Sequence, residues 1–126
     1  MGVKVLTTEG EVRLIAPLGP NVNHRNTVFG GSLASVATLA AWSALRVRLG
    51  DSARVVVVCQ ATDYLKPVSA EFEAIARLPE GPTLEAFLSA YSRRGKARIE
   101  LDVVVLSEAQ VVATLKGTFA ALADGP

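Results

Sequence analysis

The feature that most constrains the fold is an apolar stretch, rich in alanine and leucine, from Gly31 to Leu49. It is too long for one strand, and its composition predicts a single helix. Most of its circumference is apolar, so we expect it to be buried nearly all round. Arg46 and Arg48 interrupt it, and no run approaches the ~18 apolar residues that span a bilayer. A helix of this kind needs a curved sheet wrapped around it.

The remaining segments have the character of β-strands, with polar and apolar residues alternating in most of them. We predict strands over 12–16, 54–66, 71–78, 98–105 and 110–122, and a short amphipathic helix over 83–96 that ends near Gly95. The continuously apolar start of the second strand suits a central position in a sheet. The inward-facing residues are predicted to be Phe72, Ala74, Ala76, Leu78, Ile99, Leu101, Val103, Val105, Val111, Ala113, Leu115 and Phe119. The order of elements predicts one α+β domain over 1–126, with a mostly antiparallel sheet.

Composition excludes several classes of function. The 13 basic and 12 acidic residues give a net charge of +1, which offers no reason to expect nucleic-acid binding. The single cysteine, Cys59, excludes an intrachain disulfide, and its apolar neighbours predict a buried core thiol. With one histidine as well, we expect no metal site. The beginning of the chain lacks the apolar region of a signal peptide, so we expect a soluble, cytoplasmic protein without a membrane segment.

Polar side chains form one stripe on the predicted long helix. Ser32, Ser35 and Thr38 share a face, which Trp42 and Arg46 continue. This stripe is a candidate lining for a site. Its alternative is purely structural, because serine and threonine in a helix often bond back to the preceding turn.

Four segments resemble a known family. They are "NHRNTVFGGSL" from Asn23 to Leu33, "YLKPV" from Tyr64 to Val68, "RRGKARI" from Arg93 to Ile99, and Gly117-Thr118-Phe119. In this order they are similar to segments of the YiiD C-terminal-type thioesterases of the hotdog superfamily. The first also resembles the signature of acyl-CoA thioesterases of the phenylacetate-pathway and 4-hydroxybenzoyl-CoA types. Each segment alone is a weak signal, but the set covers nearly the whole chain.

The resemblance implies a hotdog fold, in which a sheet wraps one central helix. It also implies a homodimer, or a dimer of dimers, with sites at the subunit interface. The substrate would be an acyl-CoA or another acyl thioester, with coenzyme A as part of the substrate and no separate cofactor. The helix start at Gly30-Gly31 would place a backbone N–H against the thioester carbonyl oxygen, since helix N-termini carry unpaired donors and glycine lets a ligand approach. The alternative for these glycines is tight packing of a loop.

The same resemblance supplies further candidate site residues. Asn23 would orient substrate or water through its amide, or would stabilise a turn. His24 lies beside it and is a candidate catalytic base or substrate contact, or an ordinary loop histidine, while Phe29, a candidate substrate contact, takes the place of the family's histidine. Ser35 and Thr38 would line the turns that follow the glycines.

The pattern departs from the family at the catalytic acid. Relatives carry a carboxylate about two turns after the first glycine, where this chain has Thr38, and no acid occurs from Val12 to Gly50. Threonine is not a free general base at neutral pH, but it can bind water or substrate. Asp63 is the nearest remaining acid by motif, expected to face opposite to Tyr64. It is a candidate base, or a strand-end acid paired with Lys66 or an arginine.

A basic cluster follows the predicted short helix. Arg93, Arg94 and Lys96 suit the phosphates of coenzyme A, or they complement the C-terminal dipole of that helix. The leading hypothesis is therefore an acyl-CoA thioesterase, and the alternative is a non-catalytic acyl-CoA or acyl-chain binding module. A 3-hydroxyacyl dehydratase would need a histidine with a helix carboxylate, which disfavours it. A domain acting beside an acetyltransferase, as in fused relatives, is a further alternative.

Overall fold

The computed structural model describes residues 4–8, 10–17 and 30–123. Its elements are β1 (Lys4–Thr8), β2 (Glu11–Ala16), α1 (Gly30–Leu49), β3 (Ala53–Tyr64), β4 (Phe72–Arg77), α2 (Pro82–Arg94), β5 (Lys96–Ser107) and β6 (Gln110–Ala123). The predicted order of one long helix, then four strands with a short helix between them, is confirmed. Strand β1 was not predicted, and it forms an antiparallel hairpin with β2.

The strands form one six-stranded antiparallel sheet in the order β1-β2-β4-β5-β6-β3. Strand β3 is thus at an edge of the sheet, and the prediction of a central strand is wrong for the single chain. Apolar composition predicts that the residues of a strand are buried, but it does not show which strands or which other copy of the chain bury them. From Val56 to Leu65 every residue of this segment except the half-buried Thr62 is exposed.

The direction of the backbone groups on β3 follows from one hydrogen bond. Ala123 donates its N–H to Gly95 O at 2.8 Å, on the β5 side, so its pairing with Ala53 is a non-hydrogen-bonded one. Because successive residues of a strand alternate, the N–H and C=O of Ala53, Val55 and Val57 all face away from β6. A register shift between Val57 and Cys59 then interrupts this alternation.

The core lies between α1 and one face of the sheet. The predicted inward residues of β4 and β5 are all buried, as are Ala113, Leu115 and Phe119 of β6. The prediction for Val111 is wrong, because Val111 is exposed and Val112 is buried instead. The register between β5 and β6 skips Val112, and one extra residue reverses the facing of those before it.

Helix α1 is less enclosed than its composition predicts. Its sheet-facing side is buried through Leu33, Val36, Ala37, Ala40, Ala41, Ala44 and Leu45. Leu39 and Val47 remain exposed, at 38% and 63%. A single sheet covers only one side of a helix, so full enclosure would need a further layer.

Two glycines of the sequence motifs have structural explanations. Gly95 ends α2 in a left-handed conformation (φ 71°) and donates its N–H to Tyr91 O, as predicted. Gly117 lies under the buried ring of Phe119, where a Cβ would come within 2.9 Å of Cε1. The Gly-Thr-aromatic motif is therefore a packing unit of the core.

Candidate functional site

A groove lies between α1 and β3, on the face of the sheet that carries the helix. The helix runs into the turn at 50–52 and the strand runs back from it alongside the helix, so the space between them is bounded at the turn and open further out. The groove has a volume of about 490 Å³, within the usual range for small-ligand sites. Its lining residues are Ala34, Ser35, Thr38, Leu39, Trp42, Val57 and Gln60.

The polar end of the groove carries Ser35, Thr38 and Gln60. Thr38 donates its hydroxyl hydrogen to Ala34 O at 2.7 Å, which is the back-bonding that helix threonines commonly make. Its oxygen lone pairs therefore remain as acceptors, and they suit a water molecule better than a carbonyl oxygen.

Gln60 is oriented by its neighbour on the strand. Thr62 donates its hydroxyl hydrogen to Gln60 Oε1 at 2.7 Å. The amide N–H groups of Gln60 then remain available as donors to a ligand. The polar end of the groove thus offers hydrogen-bond acceptors on the helix and donors on the strand.

The other end of the groove is apolar and is closed by side chains that cross from helix to strand. Trp42 donates its indole N–H to Val55 O at 2.8 Å. Arg46 donates to Ala53 O and to Asp51 O (3.3 Å), and its guanidinium lies 5.6 Å from the centre of the Trp42 ring. Together these contacts hold the indole in one position.

The N-terminus of α1 carries the two glycines. The helix begins at Gly30, and its first turn holds no acidic residue that would offset the positive end of the dipole. Gly31 is exposed, and a Cβ built on it would meet no described atom within 4 Å. A ligand can therefore approach the backbone here. Ser35 and Thr38 follow on the next turns, so the structure brings these three predicted residues to one helix.

Asp63, a further predicted site residue, does not line this groove. Asn23, His24 and Phe29 lie outside the described residues. Asp63 pairs with Thr114, whereas its neighbour Tyr64 pairs with the buried Ala113. Asp63 is thus exposed on the face of the sheet away from α1, facing opposite to Tyr64 as predicted.

The basic cluster borders a second groove, of about 410 Å³, between α2 and β5. Arg94 and Lys96 line it together with Arg98 and Glu100. Arg93 is exposed and makes only a long hydrogen bond, 3.4 Å, to Ser89 O. Strand β6 separates β5 from β3, so one chain does not bring these cations to the groove of Thr38.

The sequence misplaced one residue of β3 and missed two others. Cys59 is exposed, not buried as predicted, because β3 lies at the sheet edge. Val57 and Gln60 line the groove although no motif singled them out. Gln60 directly follows an apolar run in the sequence, and this position is only a weak indication that it lines a site. On a strand with a bulge, the simple alternation of residues between the two faces of the sheet no longer shows which face a given residue lies on.

The part of the chain that the structure describes contains neither a candidate metal site nor a candidate membrane-spanning helix. No group of three His, Cys, Asp or Glu residues there could hold a metal ion. Within the same residues, no helix is long and apolar enough to cross a membrane.

Solved structures with the same architecture include thioesterases. A "putative thioesterase" from Shewanella oneidensis is 28% identical, with a TM-score of 0.83, covering 97% of this chain and 85% of that one. A protein of unknown function from Chlorobaculum tepidum is 29% identical, with a TM-score of 0.86 and coverage of 98% and 83%. A mutant of the phenylacetic acid degradation protein PaaI from Thermus thermophilus is 26% identical, with a TM-score of 0.70 and coverage of 94% and 92%.

These likenesses and the antiparallel sheet around one long helix define the class, a hotdog-fold protein of the thioesterase type. Residues 1–123 match the family described as "Putative thioesterase (yiiD_Cterm)". The chain belongs to this family, and the resemblance drawn from its four sequence segments is confirmed.

Proposed function

We propose that the protein hydrolyses an acyl-CoA thioester in the groove between α1 and β3. The observation that carries this proposal is the open N-terminus of α1 at Gly31, at the head of a helix whose next turns line the groove. Family membership supports a thioesterase in general. The acyl-CoA substrate and the position of the site are the proposal.

In this mechanism the thioester carbonyl oxygen accepts a hydrogen bond from the Gly31 N–H. The first N–H groups of a helix have no partner within the helix, and the dipole adds a partial positive charge. Negative charge develops on the carbonyl oxygen as water attacks the carbon. When this intermediate collapses, the C–S bond breaks and the coenzyme A thiolate leaves, taking up the proton that the attacking water gives up. A donor already aimed at that charge lowers the barrier by roughly 3–4 kcal/mol.

Water is held by the polar end of the groove. Thr38 Oγ1 accepts a hydrogen from the water, because its own hydrogen is already donated to Ala34 O. Gln60 donates its amide N–H groups to the water oxygen or to the substrate. The groove lining in the described residues contains no carboxylate, so these groups position the water and do not deprotonate it. Asn23 and His24 keep their predicted roles as ligands of substrate or water.

We include a homodimer in the proposal, built on the edge of β3 beyond Val55, because Arg46 and Trp42 already bond to the outward carbonyl groups of Ala53 and Val55. Three valines of this strand, Val56, Val57 and Val58, are 40–45% exposed. An apolar strand with an unpaired edge is unstable toward association, and the same strand from a second copy is its simplest partner. Such pairing would continue the sheet and place two copies of α1 side by side, covering Leu39 and closing the groove. A dimer of dimers is the larger form of this assembly.

Because one chain does not bring the basic residues of the groove between α2 and β5 to the groove of Thr38, the proposed phosphate site is this second groove on the partner copy. Arg94, Lys96 and Arg98 offer guanidinium and ammonium donors for the phosphates of coenzyme A. Comparison of acyl-CoA with acyl-pantetheine, which lacks the nucleotide, isolates this contact. Arg94→Ala should raise KM for acyl-CoA several-fold and leave KM for acyl-pantetheine unchanged.

The direct test is turnover by the purified native protein on a panel of acyl-CoAs that includes straight-chain and aryl groups. Release of free coenzyme A should be followed chromatographically, because exposed Cys59 would consume a thiol reagent. We expect saturable release with at least one panel member. Absence of turnover across the panel, with a folded protein, would reject the hydrolase. The cytoplasmic location stays a prediction.

A second candidate is a non-catalytic acyl-CoA binding module. It is favoured by the same lack of a carboxylate in the described lining of the groove. It predicts that acyl-CoAs raise the melting temperature in a saturable manner without release of coenzyme A. Ligand stabilisation together with turnover would reject this candidate.

A further inference from the structure

Trp42 and Arg46 form a wall that closes the apolar end of the groove between α1 and β3. The helix and the strand that form it are joined at 50–52, and Trp42 and Arg46 both bond to carbonyl groups on β3 across the remaining gap. From Gly31 to Trp42 the helix rises by about 16 Å. A ligand whose reacting group lies at the helix start therefore meets the indole at a limited distance along α1.

The position of the indole is fixed from two sides. Its N–H donates to Val55 O at 2.8 Å, and this carbonyl faces away from β6. The Arg46 guanidinium lies 5.6 Å from the ring centre and is itself tied to the backbone of Asp51 and Ala53. Rotation of Trp42 out of the groove would leave a strand carbonyl without this donor and would break the contact with Arg46.

The chemical character of the groove changes along its length. Ser35, Thr38 and Gln60 are polar, while Leu39, Val57 and Trp42 are apolar. A thioester bound with its carbonyl at the polar end would extend its acyl chain toward Trp42.

We propose that Trp42, positioned by Arg46, limits the length of the acyl chain that this protein accepts. This inference rests on the proposed groove and deepens it, because it names the residue that selects among substrates. The accepted substrates are acyl groups that end at the indole, and longer chains are rejected by contact with a ring that cannot move aside.

Binding can be read directly, because Trp42 is the only tryptophan of the chain. The native protein is titrated with a series of S-alkyl-coenzyme A thioethers, from ethyl to hexadecyl, which cannot be hydrolysed. We expect coenzyme A alone to leave tryptophan fluorescence unchanged. The emission should shift once the chain is long enough to reach the indole, and the affinity should fall for longer chains.

Three variants then test the wall by hydrolysis of the matching acyl-CoA series. Trp42→Leu should move the optimum of kcat/KM to longer chains, with at least about a tenfold change in the ratio of long to short substrates. Trp42→Phe keeps an aromatic ring and should move the optimum less. Tyr91→Leu is the matched control, because Tyr91 is a partly buried aromatic packed on the core outside the groove. Melting curves verify that each variant is folded.

The outcomes separate this inference from the proposed function. Hydrolysis by the native protein without any response of Trp42, and with an unchanged chain-length profile in Trp42→Leu, overturns the inference and leaves the hydrolase. A chain-dependent response of Trp42 without hydrolysis supports the wall and overturns the hydrolase. If neither occurs, both are rejected. Should Trp42→Leu fail to fold, the thioether titration of the native protein still decides.

Discussion

Strands β5 and β3 have similar apolar compositions but opposite environments. In β5, Ile99, Leu101, Val103 and Val105 are at most 5% exposed against α1. In β3 only Ala53 and Val55 are buried, and the strand is exposed beyond them. The difference arises because β5 lies between β4 and β6, whereas β3 has β6 on one side and, among the described residues, no strand on the other.

The apolar residues of β3 beyond Val55 therefore do not stabilise the core of their own chain. Strand β5 supplies stability, and β3 supplies a lining for the groove and a free edge. Both roles use valine, because it suits a strand wherever that strand lies. Substitutions in the two regions should therefore affect different measurements.

The largest expected effect is on stability in the interior. Phe119→Ala should lower the free energy of unfolding by about 3–5 kcal/mol, because its buried ring leaves a cavity between the sheet and α1. Val58→Ala on the exposed part of β3 should lower it by no more than about 0.5 kcal/mol at concentrations where the chain is monomeric. Chemical denaturation measures both. Equal losses would contradict the division between core and edge.

The next effect concerns assembly at the edge. Val57→Pro removes an N–H that faces away from β6, so the ladder to β6 stays intact. Self-association should weaken by at least about 30-fold, the scale of an interface hot spot. The control, Val56→Pro, removes an N–H that faces β6 and should destabilise the fold itself. Sedimentation velocity measures the mass; an unchanged dimer in a folded Val57→Pro variant would refute pairing through this edge.

A smaller difference in stability is expected between alanine substitutions at two motif glycines, Gly117 and Gly31. Gly117→Ala should cost about 1–3 kcal/mol, since its Cβ would press on the Phe119 ring at 2.9 Å and that ring is fully enclosed. Gly31→Ala adds a Cβ in open space and should leave stability within about 0.5 kcal/mol. Thermal and chemical unfolding should rank them in this order. The reverse ranking would show that the glycines at the helix start are the packing glycines.

The smallest expected effect is a decrease in turnover when Thr38, at the polar end of the groove, is substituted. Thr38→Val removes the oxygen that we propose accepts a hydrogen from water, and it keeps the shape of the side chain. Turnover should fall about fivefold, the value of one hydrogen bond, while the melting temperature changes little. Thr38→Ser retains the oxygen and should retain turnover. If Val and Ser behave alike in the assay, Thr38 does not hold the water.

Sequence patterns that reflect contacts within one chain, such as alternation along strands and helical spacing, predicted most of the fold. Alternation in β4 and β5 gave the correct buried faces, because both strands pack one face against α1. Alternation failed at Val111, where a bulge adds a residue. The apolar neighbours of Cys59 wrongly predicted its burial, because β3 lies at the sheet edge. The groove was predicted only on its helical side, since Ser35 and Thr38 follow helical spacing. Gln60 and the bond from Trp42 to Val55 depend on how helix and strand meet in space.

The central claim is that the N–H at the start of α1 stabilises charge on the thioester carbonyl. Gly31→Pro removes that N–H at a position in the first turn, where proline is tolerated, and Gly31→Ala keeps it. The measurement is kcat for coenzyme A release from the preferred acyl-CoA, with melting curves to verify folding. We expect a decrease of about 10²–10³-fold for the proline variant and less than about threefold for alanine. Equal activity in the two folded variants would contradict it.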